Sequence, residues 1–126
     1  MPQRILLVDD DPTVTKWAKS LLTNKGYEVI TAQGGQEALR KLKMEQFDLI
    51  ILDILMPDMD GYQVCNKIRS NDAYQQVPII FLTVKDKELD DSIIHKLNIE
   101  YIQKPAEGQY FLGKIEEFLS KEKEEV

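Results

Sequence analysis

Cysteine is nearly missing from this chain: Cys65 is the one thiol in 126 residues. A lone cysteine excludes an internal disulfide framework and fits a reducing compartment. Set mid-helix among apolar neighbours, it reads as a small core residue. Histidine is equally sparse, with His95 alone, and its place on a predicted helix makes it a surface residue. Positive charge is in deficit: Lys and Arg number 16 against 22 Asp and Glu, a net charge of −6. That balance argues against direct nucleic-acid binding, which wants a basic face. No apolar run approaches the ~20 residues of a membrane-spanning helix. The chain opens straight into a strand pattern rather than a signal peptide. Internal repeats and linkers are missing as well. The expectation is a soluble, cytoplasmic protein without membrane contact.

What is there is an ordinary globular composition, 43% apolar and 30% charged, enough for one domain around one core. The domain spans 1–126, with a core over about 3–120 and a solvated charge run at 121–126 that reads as a fraying helix end. Strand and helix patterns alternate. Arg4 to Val8 is a continuous apolar strand, and Asp11-Pro12 then supplies an N-cap and a first-turn proline. The helix that follows carries Val14, Trp17, Leu21 and Leu22 at helical spacing and stops near Gly26. Glu28 to Thr31 is a short strand. Gly34-Gly35 opens a helix with Ala38, Leu39 and Leu42 on one face. Strands over Asp48 to Leu52, Val77 to Leu82 and Glu100 to Ile102 alternate with helices over Gly61 to Arg69, Asp86 to Leu97 and Glu107 to Lys121. Such βα repetition implies an α/β fold: a doubly wound five-stranded parallel sheet, flavodoxin-like, in the order 2-1-3-4-5.

In that order the first and third strands flank the switch point where ligands bind beyond the strand ends. Both strands end there on carboxylates. Ile50-Ile51-Leu52 runs into Asp53, and Ile5-Leu6-Leu7-Val8 runs into Asp9, Asp10 and Asp11. A charge at the end of a buried strand is unfavourable unless something compensates it. Asp11 is accounted for as a helix cap, and Asp60 before Gly61 as turn and cap chemistry. Asp9, Asp10 and Asp53 are left as a site for a hard dication, and Mg²⁺ suits two or three clustered oxygens. Asp10 and Asp53 ligate directly in this reading, Asp9 through water, and the Leu55 backbone carbonyl adds an oxygen. Asp53 is also a candidate nucleophile: a carboxylate can attack phosphorus and form an aspartyl-phosphate. The transferred group then needs its equatorial charge stabilised. Thr83, after the fourth strand, offers a hydroxyl, and Lys104, after the fifth, a point charge.

Val8-Asp9-Asp10, Asp53-Ile54-Leu55-Met56-Pro57-Asp58-Met59-Asp60-Gly61, Leu82-Thr83 and Lys104-Pro105 together resemble the motifs of the receiver domains of two-component response regulators. The likeness spans nearly the whole chain. It implies that Asp53 accepts a phosphoryl group, in a Mg²⁺-dependent step, from a phosphohistidine on a sensor histidine kinase or a histidine phosphotransfer protein. It implies a phosphoacceptor that assists its own phosphorylation and dephosphorylation rather than a turnover enzyme. It further implies that Thr83 and an aromatic on the fifth strand, matched by Tyr101, report the event. The face made by the fourth helix, fifth strand and last helix then changes partners. Those partners are a downstream protein or an output domain, with a phosphorylation-linked homodimer as a further expectation.

Several positions depart from the family pattern. Val84 stands where a small residue is usual and crowds the phosphate. Asn98-Ile99 replaces Gly-Ala, with Asn98 suited to cap the fourth helix. Ala106 follows Lys104-Pro105 where Phe is common. The alternative reading is a pseudo-receiver, an interaction module that does not use phosphate. An aspartyl phosphatase is disfavoured because Asp9 and Asp10 are adjacent and the nucleophile follows the third strand. An FMN site is disfavoured because three aspartates in the first loop repel a phosphate.

Leu55 and Lys85, two residues after Asp53 and Thr83, flank the path of a hydrolytic water, and neither is a carboxylate or amide that would orient it. Phosphorylated Asp53 is therefore expected to outlive the same species in a Leu55→Asn variant. The check is the decay of the phosphorylated mass with time in the two proteins, and equal or shorter survival of the unsubstituted protein would sink the idea.

Overall fold

Alternation of apolar side chains settles which way each strand faces. The computed structural model describes residues 2–83, 92, 95–96, 99–103 and 107–124, the side chains of 83 and 121–124 excepted. In chain order these form β1 (Arg4–Val8), α1 (Pro12–Asn24), β2 (Glu28–Ala32), α2 (Gly35–Met44), β3 (Leu49–Leu52), α3 (Gly61–Arg69), a 3-10 turn (Asp72–Tyr74), β4 (Ile79–Thr83), β5 (Ile99–Gln103) and a last helix (Gly108–Glu124). The strands make one sheet in the order β2-β1-β3-β4-β5, parallel at every junction. This is the order expected from the sequence.

Two apolar layers sandwich that sheet. Leu6, Val8, Ile50, Leu52, Ile79 and Phe81 face one way and pack with Ala38 and Leu42 of α2 and Val64, Cys65 and Ile68 of α3. Their chain neighbours Ile5, Leu7, Leu49, Ile51, Ile80 and Leu82 face the other way, onto Ala18 and Leu22 of α1 and Phe111, Ile115, Phe118 and Leu119 of the last helix. Trp17 joins this second layer at its margin, its ring 5.0 Å from that of Phe111. Strands covered on both faces read as continuous apolar runs, as β1 and β3 do.

Helix ends follow local chemistry. The Asp11 side chain accepts the Thr13 N–H, with Pro12 in the first turn of α1. Asp60 and Gln63 form a reciprocal capping box at the start of α3. Gly26 takes φ +95° after α1, a conformation that few residues other than glycine adopt.

Some boundaries differ from those expected. β3 begins at Leu49, because the Asp48 carboxylate instead accepts the Arg4 backbone N–H at 2.7 Å. β4 begins after Pro78, which has no N–H to give a ladder, and runs on to Thr83. Ile99 is buried in β5 and pairs with Ile79. The last helix extends to Glu124, beyond the expected Lys121, since Lys and Glu are good helix formers. The stretch before β4, expected as a polar loop, buries Tyr74, whose hydroxyl lies 3.0 Å and 2.7 Å from the carbonyls of Leu42 and Glu45. Of the helix expected over Asp86 to Leu97, Ser92, His95 and Lys96 are described; they are helical and exposed.

Cys65 is fully buried, and burial pushes its thiol up to about 12. The folded protein should therefore resist a thiol reagent such as DTNB at pH 8, and one equivalent should react on addition of denaturant. Rapid labelling of the native protein would contradict this packing.

Candidate functional site

Register brings the acidic strand ends together. Val8 pairs with Leu52 across β1 and β3, so the next residues, Asp9 and Asp53, stand at one level. The ladder continues through them: Asp9 N–H donates to the Ala32 carbonyl at 3.1 Å and Asp53 N–H to the Val8 carbonyl at 2.9 Å. Both side chains are buried, Asp9 2% and Asp53 8% exposed, while Asp10 is exposed. Asp9 also turns the chain into α1, its carboxylate accepting the Asp11 N–H at 2.9 Å. One carboxylate oxygen from each of Asp9, Asp10 and Asp53 can be chosen so that all lie within 4.8 Å of one another.

This donor set fits a hard dication. Mg²⁺ holds oxygens at about 2.0–2.1 Å in an octahedron, so its ligand oxygens lie within about 4.2 Å of each other. A small side-chain adjustment closes the cluster to that size. The donors are oxygens throughout, with no thiolate or imidazole to favour a softer metal.

The other expected residues are placed unequally. Leu55 lies two residues beyond Asp53 with its side chain 59% exposed. Thr83 ends β4, the neighbour of β3, and pairs with Gln103 at the end of β5. The backbone thus puts Thr83 at the acidic edge. Lys104, next in the chain after Gln103, lies outside the described residues, as do Val84, Lys85, Asn98, Pro105 and Ala106. Tyr101 pairs with Phe81 in the β4–β5 ladder and is 45% exposed, so it is not a core residue here.

The loop from Asp53 to Gly61 is clamped in a way that sequence reading missed. At its base the Gly61 N–H donates to the Ile54 carbonyl at 2.7 Å. A Cβ on Gly61 would come within 2.7 Å of the Asp53 carbonyl oxygen, so glycine is required by close approach. At its apex, Asp58 reaches the start of α2. Its two carboxylate oxygens accept the N–H groups of Gly35 at 3.1 Å and Gln36 at 2.9 Å, and one of them also accepts its neighbour's, from Met59, at 2.9 Å. A Cβ on Gly34 would stand 2.8 Å from the Asp58 carboxylate. The sequence held one hint: Gly34, the N-cap of α2, brings no capping side chain, so the free N–H groups of the first turn need an acceptor from elsewhere.

The Gln36 N–H, with help from Gly35 and Met59, holds the Asp58 carboxyl below its ordinary value of 3.8. A carboxyl lowered by folding adds stability above its unfolded value and loses it as pH falls through the folded one. An Asp58→Asn variant keeps an acceptor for α2 but loses the charge, so it should be less stable at pH 7 by only a fraction of the about 1 kcal/mol of a whole helix cap. The difference from the unsubstituted protein should shrink to nothing in strong acid. Urea unfolding of both proteins from pH 7 down to pH 2 measures it; a difference independent of pH would contradict the charge-dependent clamp.

Comparison with known proteins supplies the context. The family model described as "Response regulator receiver domain" matches residues 5–116. The alkaline phosphatase synthesis transcriptional regulatory protein PhoP of Bacillus subtilis is 40% identical over 106 residues, 83% of this chain and 43% of PhoP. The chain spans about half or less of the length of such transcriptional regulators. A CheY-like response regulator receiver domain protein from Methanospirillum hungatei superimposes with a TM-score of 0.90 at 30% identity, covering 100% of both chains. The response regulator TrrA of Thermotoga maritima, solved in complex with Mg²⁺ and BeF, gives a TM-score of 0.82 at 34% identity, covering 92% of this chain and 98% of TrrA. Among the described residues, no helix is long and apolar enough to cross a membrane.

Proposed function

This chain belongs to the response regulator receiver family, and from that premise we propose that it is switched by phosphorylation of Asp53. The observation that carries the reading is the carboxylate triad of Asp9, Asp10 and Asp53 at the shared edge of β1 and β3.

An Asp53 carboxylate oxygen attacks the phosphorus of a phosphohistidine on a sensor histidine kinase or histidine phosphotransfer protein. The new O–P bond forms as the N–P bond breaks, and the departing imidazole nitrogen keeps the electron pair. Asp9, Asp10, Asp53 and the Leu55 carbonyl would hold Mg²⁺, which when bound supplies charge neutralisation at the reacting oxygens. Lys104 and Thr83 bind the remaining phosphoryl oxygens. The chain is a phosphoacceptor, not a turnover enzyme: its product is its own modified state, and hydrolysis of the acyl phosphate restores it.

On phosphorylation the Thr83 hydroxyl binds the phosphoryl group, and Tyr101, now 45% exposed, reports the change. The face containing β5 and the last helix then presents a different surface to a downstream protein, an output domain or a second copy of the chain. The acidic balance of −6 favours protein partners over direct nucleic-acid contact. The setting is cytoplasmic, where kinases and their phosphodonors act.

Incubation with Mg²⁺ and acetyl phosphate should raise the intact mass by one phosphoryl group, and Asp53→Ala should abolish the shift. Removal of Mg²⁺ with EDTA should slow labelling at least tenfold, as expected when the ion neutralises transition-state charge. An unshifted mass, or a shift that survives Asp53→Ala, would falsify the proposal.

A further inference from the structure

The Asp53-to-Gly61 loop is fixed at both ends but reaches solvent between them. Its base is tied by the 2.7 Å hydrogen bond from Gly61 to the Ile54 carbonyl, and its exit by the Asp60 capping box. Between these lies Leu55, 59% exposed, whose carbonyl the proposed site requires. The apex is held from outside by Asp58. That side chain spans to the start of α2, accepting the Gly35 and Gln36 N–H groups. Met59 backs this contact, since a Cβ on Gly35 would fall 2.3 Å from its Cγ. Gly34 and Gly35 thus leave room for the loop, and α2 supplies donors that it does not satisfy itself.

We propose that Asp58 is a positioning residue for the metal site: by anchoring the loop to α2, it holds the Leu55 carbonyl where the cation can use it. The inference rests on the proposed Mg²⁺ site. An unanchored loop samples other conformations, and their entropy must be lost when the cation binds. Partners that orient ligands without touching the metal typically change its affinity by about 10–100-fold. Asp58 acts through the backbone several residues away, so a smaller effect of about 3–10-fold is expected here.

Mg²⁺ affinity measured by isothermal titration calorimetry tests this without reference to phosphorylation. The unsubstituted chain, Asp58→Ala and Asp58→Asn are compared under identical salt, with thermal unfolding confirming that each is folded. Alanine removes both charge and acceptor. Asparagine removes the charge but keeps one acceptor oxygen for the α2 N–H groups. The expected result is weaker Mg²⁺ binding by Asp58→Ala, about 3–10-fold, with Asp58→Asn recovering most of the loss. Equal weakening in both variants would assign the effect to charge alone and overturn the positioning role. Unchanged affinity in Asp58→Ala would overturn it as well. Failure of the unsubstituted chain to bind Mg²⁺ would instead strike the proposed metal site itself.

Discussion

Burying the carboxylates of Asp9 and Asp53 side by side at one sheet edge is unfavourable twice over: each loses water, and like charges repel. The fold holds them there regardless. Both residues take part in the strand ladder through their own N–H groups, so neither can turn away without breaking β-structure. The strands in turn are covered on both faces by apolar layers, which makes their displacement costly. An arrangement of this kind is understandable when a cation offsets the repulsion, and when the site must be ready before its ligand arrives.

Rigid strands alone do not fix such an edge, because the backbone leaves the sheet after Asp53 and returns only at Gly61. Here glycine and aspartate divide the work. Gly61 lets the chain pass within contact of the Asp53 carbonyl, and Asp58 joins the loop to a helix that begins without a cap of its own. The same carboxylate therefore completes α2 and steadies the loop. This links α2 to the segment that follows Asp53 through side chain and backbone rather than through the core.

The inward faces were legible from the sequence because they depend on local periodicity, and the sheet order because βα repetition with right-handed crossovers leaves few arrangements. Ala38, Leu42, Phe111, Ile115 and Phe118 sit at spacings that one helical face satisfies, and the apolar runs of β1 and β3 are short enough to suit a strand buried on both sides. The convergence of Asp9, Asp10 and Asp53 was legible because a parallel order fixes which strand ends meet. Contacts set by distance in space rather than in sequence were not. The Asp58 clamp joins residues 23 and 22 positions apart, and Tyr74 reaches 32 and 29 positions back to the carbonyls of Leu42 and Glu45. No period or local motif encodes either one. Boundaries also moved where a side chain competed for a backbone group, as Asp48 does for the Arg4 N–H.

The opposite edge of the sheet shows what acidic side chains do here when they serve stability. Arg4 at the start of β1 pairs with Glu28 at 3.0 Å and with Glu45, and donates to the Gln46 carbonyl. Asp48 accepts the Arg4 backbone N–H, and Arg69 donates to the Tyr74 and Val77 carbonyls. Each group there ties one element to the next across an exposed surface, where single ion pairs contribute little and networks with backbone acceptors contribute more. At the site edge the acidic groups are arranged differently. Three carboxylates from two adjacent strand ends converge on one another, a geometry that gains from a cation in its midst. The same parallel sheet thus carries two polar edges. At the N-terminal edge a cationic side chain of the protein answers the acidic residues. At the C-terminal edge three carboxylates are grouped closely enough to share one small ion.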